Sequence, residues 1–187
     1  MGIDFNSADV QSNFDLLPVG IYSLSMMIRN GLAGQGEDAF LTASKSSDAM
    51  FLNCEFTVMA GAFAKRKFFS NFVLSGGKTD DSDQSIAGKI SRATLRAILE
   101  SARNIMPSDM SQAAMAQRII KSYGDFNGMN FLAKVGIEKS KDAQYQDKNR
   151  ILAVITPDKA EYNTFDPGTA PPVAQAAKAS PRPAWAQ

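Results

Sequence analysis

Between Gly61 and Phe72 the sequence interleaves cations, aromatic rings and one amide: Lys65, Arg66 and Lys67, then Phe68, Phe69, Asn71 and Phe72. Cations track phosphates and flat rings stack on bases, at about 1–3 kcal/mol per stacked base, so this mixture suits an unpaired nucleic-acid strand. The competing reading is a solvated turn followed by a core strand. For Phe68 and Phe72 the core reading is preferred, because Phe69 and Asn71 share the pleat side of Lys67. Phe69 and Asn71 are therefore the surface candidates.

A second basic group holds Lys134, Lys139, Lys141, Lys148 and Arg150 around Tyr145. A basic loop of this kind can close over a bound strand. Glu138, Asp142 and Asp147 dilute it, so a hairpin that is merely solvated competes.

Other chemistries find little support. The sequence has no histidine, which removes the commonest general base and metal ligand. Its lone cysteine, Cys54, falls on the apolar side of an alternating run and reads as an inert core residue. Gly76-Gly77-Lys78-Thr79 resembles part of a phosphate loop, but Phe72 stands where the first glycine is required, and Asp80, Asp81 and Asp83 follow where phosphates would be repelled. That acidic trio reads as a solvated loop rather than a divalent-ion site. No catalytic residue, cofactor or metal is expected.

The elements that must hold these residues are legible from periodicity. Gly20–Arg29 alternates as a strand with Tyr22, Leu24, Met26 and Ile28 on one face. The next twenty residues read as a long loop. Met50–Met59 puts Met50, Leu52, Cys54, Phe56 and Val58 on one side, Ala60-Gly61-Ala62 is a turn, and Lys67–Leu74 is the returning strand. Helical spacing then joins Ile90, Ala93, Thr94, Ala97, Ile98, Ala102 and Ile105. Pro107 ends that helix, Ser108 or Asp109 caps a second one reaching about Ser122, and Gly124 stops it. Alternation returns with Met129, Phe131, Ala133, Val135 and Ile137 facing inward, and Arg150–Ile155 is the last strand.

These segments predict a mainly β, α+β domain over residues 1–157. Three strands, helices and two more strands suit a five-stranded OB-type barrel with helices between strands three and four, although other α+β folds share the pattern. From Asp158 the chain turns rich in proline and alanine, and residues 158–187 are expected to be a disordered tail. Trp185 near its end is either a chance residue or an anchor for a partner protein. With 44% hydrophobic and 21% charged residues, the body can fold on its own core. A net charge of +1 means that any anion-binding surface must come from local segregation of charge. The start lacks a signal peptide's basic and apolar regions, Asn6 spoils a myristoylation signal, and no run approaches a membrane span, so a cytoplasmic protein is expected.

The order GIYSLSMMI, FLNCEFTVMAGAFAKRKFFSNFVL, LRAILESA and FNGMNFLAKVGIEKSKDAQYQDKNRI resembles a family of phage-encoded single-stranded-DNA-binding proteins of OB-type fold, over roughly residues 14 to 156. The Gly61–Asn71 turn and strand and the Lys134–Ile151 stretch carry most of the likeness. The resemblance implies protection of single-stranded DNA without sequence preference during phage replication or recombination, in the host cytoplasm. An OB domain this small covers only a few nucleotides, which leaves the oligomeric state open, with homo-oligomers on the DNA as one arrangement. It makes Arg66, Lys67, Asn71, Lys134, Lys148, Asn149 and Arg150 candidate contacts. Better-known proteins of this kind end in an acidic tip closed by Pro-Phe, whereas here Lys178 and Arg182 precede Pro183-Ala184-Trp185, which argues against recruiting host partners through such a tip. The alternative is a recombination accessory factor or adaptor acting through the tail and helices.

Overall fold

The computed structural model describes residues 16–31, 39–140, 142, 145–166 and 168. Lys141 and Trp185 lie outside the described residues, as does the chain from 169 onward. The strands are β1 (Gly20–Ile28), β2 (Leu41–Ala43), β3 (Met50–Val58), β4 (Lys67–Ser75), β5 (Asn130–Glu138) and β6 (Lys148–Ile155). Between β4 and β5 lie α1 (Ile86–Ala102), α2 (Gln112–Gln117) and a 3-10 turn at Tyr123–Phe126, and α3 (Ala160–Thr164) follows β6.

Alternating apolar residues in β1, β3 and β5 form the inner side of an antiparallel sheet ordered β4-β3-β1-β5-β6. Leu24, Met26, Leu52, Cys54, Phe56, Phe131 and Ala133 are buried, as the spacing predicts. Phe56 is the hub. It stacks on Phe68 at 5.1 Å between centroids and meets Phe72 and Phe131 edge-on, each at 6.1 Å. Phe68 and Phe72 are therefore core residues. α1 covers this core with Leu95, Ile98 and Leu99. Its start is fixed by Ser85, whose Oγ accepts from the Gly88 N–H at 3.1 Å.

Several expectations need correction. The loop after β1 contains β2, which pairs Leu41 with Leu52 and continues the sheet edge beyond the end of β1. Three residues in a polar stretch give periodicity nothing to detect. The buried stripe of α1 is offset from the expected one: Ile90 is 64% exposed, while Leu95 and Leu99 are buried. α2 starts later, at an N-cap of Ser111, because Asp109 Oδ1 instead accepts from the Ser111 N–H. Gly124 lies inside the 3-10 turn, where a Cβ would come within 2.8 Å of the Phe40 ring. Ile137 is 37% exposed: Leu152 is an extra residue in β6, packs over Gly136, and the end of β5 projects past the core. Residues 158–166 are not featureless tail, since the Tyr162 hydroxyl of α3 donates to the Ser101 carbonyl at 2.8 Å.

The expected barrel closure is also incomplete. No ladder joins β4 to β6 among the described residues. The sheet stays open along that seam, with α1 beneath it.

Candidate nucleic-acid interface

The open seam is a cleft of about 480 Å³. Phe69 and Asn71 line it from β4, Lys148 and Arg150 from β6, and Ile90 and Thr94 from α1. Residues from both basic stretches of the sequence thus come together because β4 and β6 are the two edges of one sheet. A neighbouring cleft of about 440 Å³ shares Glu138 and Lys148 with the first and adds Lys139, Gln146 and Tyr145, which is well exposed.

Phe69 is 47% exposed and stands on the outer sheet face opposite Glu55. The Arg29 guanidinium lies over its ring at 4.5 Å from the centroid. Arg29 is a site residue that the sequence reading missed, because pairing across three strands brings it there. Glu55 bonds both Lys67, at 2.6 Å, and Arg29, at 3.2 Å. The Lys67 hydrogen bond, followed by the Arg29 one, holds the Glu55 carboxyl below its ordinary range. The pairing's contribution to stability is therefore present above the ordinary carboxylate pKa and lost as pH falls through the lowered folded value.

On the β6 side, Lys148 and Arg150 share Glu138 at 3.5 and 3.9 Å, and Lys139 bonds Asp147 at 2.6 Å. The Lys139 bond, helped by the Ser140 N–H, lowers the Asp147 carboxyl. Among the described residues, Arg29, Lys67, Lys148 and Arg150 pair with Glu55 and Glu138 alone, leaving two positive charges in excess beside an exposed ring.

Other expected contacts fall elsewhere. Lys65 adopts φ 70° in the turn. Arg66 lies over Phe63, 5.4 Å from its centroid, and Phe63 meets Tyr22 edge-on. Tyr22, pushed up to about 12 by burial and pulled back somewhat by Arg66, donates to the Pro18 carbonyl at 2.8 Å. The basic triplet is therefore split: Lys67 reaches the Phe69 face through Glu55, while Arg66 lies over Phe63. Lys134 is exposed on the same outer face but pairs with Ile21, on the far side of β1.

Asn149 is a correction. It is 6% exposed: Oδ1 accepts from the Leu17 N–H at 2.8 Å, and Nδ2 donates to the Leu17 carbonyl at 2.9 Å and the Gly136 carbonyl at 3.3 Å. The side-chain amide substitutes for a strand partner and pins the lead-in to β1. Asn149→Ala would leave two backbone groups of Leu17 unpartnered, and should cost about 2–3 kcal/mol in a urea unfolding midpoint.

The remaining groups look structural. Asp80 accepts from the Ser82 and Gln84 N–H groups at 2.9 and 3.1 Å and bonds Lys89, so it braces its own loop. Burial pushes the Cys54 thiol up to about 12, leaving it unreactive. Among the described residues no group of three His, Cys, Asp or Glu is gathered as for a metal, and no helix is long and apolar enough to cross a membrane.

No protein-family model matches the chain, and no curated protein matches it.

Proposed function

We propose that this chain binds single-stranded DNA without sequence preference, along the β4–β6 seam and the adjoining outer face of β3 and β4. The observation that carries the reading is the convergence of Phe69, Asn71, Lys148 and Arg150 on one cleft, with Arg29 stacked on the exposed ring. A ring for a base and flanking cations for phosphates are what a sequence-tolerant single-strand site needs. The strand order, with α1 entering after β4, is compatible with a partly open OB-type barrel, whose second and third main strands and late loop form its ligand face. The family resemblance supplies the biological setting: protection of DNA strands during phage replication or recombination in the host cytoplasm.

Phe69→Ala tests the stacking role. Fluorescence anisotropy with labelled oligo-dT should show binding weakened by about 5- to 150-fold, equivalent to about 1–3 kcal/mol for one stacked base. The melting temperature should move little, because half of the ring is already in water. A large drop in melting temperature with unchanged affinity would place the ring's role in packing.

Glu55→Gln tests the charge arrangement in the opposite direction. It removes the carboxylate shared by Lys67 and Arg29 and frees both for phosphates. Affinity for oligo-dT should rise by about threefold to tenfold at low salt, with a steeper salt dependence. Because Glu55 is held below its ordinary range, the wild-type chain should show no such gain between pH 8 and about pH 5.

A further inference from the structure

On the opposite flank of α1 a second groove, of about 470 Å³, opens between that helix and the segment carrying α2 and the 3-10 turn. It shares no lining residue with the β4–β6 cleft. Leu95, Leu99 and Phe126 form its floor. Met110 and Met115 on its rim are 65% and 46% exposed. Every charged residue lining it is an arginine: Arg92, Arg96 and Arg118. The carboxylate that answers them is Glu100, which accepts from Arg96 Nε at 2.8 Å and Arg118 Nε at 2.7 Å. Arg92 donates to the Leu74 carbonyl and has no carboxylate partner among the described residues. Three cations against the buried Glu100 and the nearby Asp109, whose carboxyl Arg118 helps to lower, still leave a positive excess around an apolar trough. Its complement is an acidic segment carrying a bulky apolar side chain.

We propose that the occupant is the chain's own N-terminal segment. Residues 1–15 contain Asp4, Asp9 and Asp15, no Lys or Arg, and the bulky residues Ile3, Phe5, Val10 and Phe14. Of the other segments outside the described residues, 169–187 has Lys178 and Arg182 and no acid, so its charge is of the wrong sign. Segment 32–38 carries Glu37 and Asp38 but no aromatic ring, with its ends held together by the Gly31 N–H donating to the Ala39 carbonyl at 2.6 Å. Reach selects the anchor. Leu17 is pinned by Asn149 at the start of β1, and the Ile28 N–H at the other end of β1 meets Asn127, next to Phe126 of the groove. The nine residues of β1 span about 30 Å. Eleven extended residues from Leu16 to Phe5 cover roughly 37 Å, whereas the two from Leu16 to Phe14 cover about 7 Å. Phe5, flanked by Asp4 and followed by Asp9, is the ring that fills the trough, in the same molecule.

Photo-crosslinking in the full chain tests this without any nucleic acid, so its outcome is separate from the DNA-binding reading. Benzoylphenylalanine is introduced at position 5 or, separately, at position 14, and products are mapped after trypsin digestion. From position 5 the expected product has monomer mass and joins the fragment Asn104–Arg118, which holds Met106, Met110 and Met115. Position 14 should not give it. Arg92→Glu with Met115→Asp should lower the yield by about fivefold or more, as should Asp4→Lys with Asp9→Lys, which leaves the folded body untouched. Crosslinks from position 5 to other fragments, products of dimer mass, or a yield indifferent to the arm-side substitutions would overturn the proposal.

Discussion

Replacing Glu100 by alanine is expected to cost about 3–5 kcal/mol, the largest stability loss of any single charge removal in this domain. Glu100 is buried on α1, and one of its oxygens accepts from the Nε of both Arg96 and Arg118. Arg118 is nearly buried itself and donates further to the carbonyls of Asp109, at 2.7 Å, and Met106, at 2.9 Å. That one guanidinium ties the chain leaving α1 to the chain leaving α2, across a stretch with only one short helix. Without the carboxylate, the nearly buried Arg118 guanidinium is left uncompensated, with the half-exposed Arg96 beside it. The buried-charge penalty then falls on the folded state alone. Urea unfolding should show the lower midpoint, and hydrogen exchange should show residues 103–126 opening before the sheet does. Glu100→Gln keeps an acceptor but not the charge, so it should fall between wild type and alanine. An alanine variant of nearly unchanged stability would mean that the arginines relax into solvent and that the network contributes little.

The largest binding effect is expected from Lys148→Glu combined with Arg150→Glu. Both residues are exposed on β6, line the cleft opposite Phe69 and Asn71, and pair only loosely with Glu138. Reversal turns the excess positive charge of the β6 side into a cluster of three carboxylates. Affinity for oligo-dT should fall on the order of a hundredfold at low salt. The logarithmic salt slope should shrink by about 1.4, the value for losing two phosphate contacts to a single strand. The loss should be similar for every base composition, because phosphate contacts carry no sequence information. The fold should survive, since neither side chain enters the core. A double variant that binds as the wild type does would direct attention to the Lys134 side of the sheet.

How far the sequence reveals these sites depends on where each residue's partners come from. Met50–Val58 and Lys67–Ser75 were legible because a half-buried strand repeats every two residues, and that pattern also separated Phe68 and Phe72 from Phe69. The convergence of Phe69 with Lys148 and Arg150 was legible only as two basic hairpins, since the seam arises from strand order. Asn149 was misassigned because an amide that imitates a backbone partner looks the same in sequence as one that meets a ligand. Arg66 stands in an unbroken basic triplet, yet it ends the turn and lies over Phe63, while Lys67 begins β4 and pairs with Glu55 on the outer face. Glu100 and Arg118 are eighteen positions apart, and no local rule pairs them. Ile90 fits the helical period but sits where α1 borders the cleft rather than the core.

The central claim is best tested by anisotropy titrations of the full chain against labelled oligo-dT and a duplex of equal length, over a series of salt concentrations. The account predicts tighter binding to the single strand than to the duplex, with affinity falling linearly in logarithmic salt. Equal affinity for both forms, or binding indifferent to salt, would contradict it.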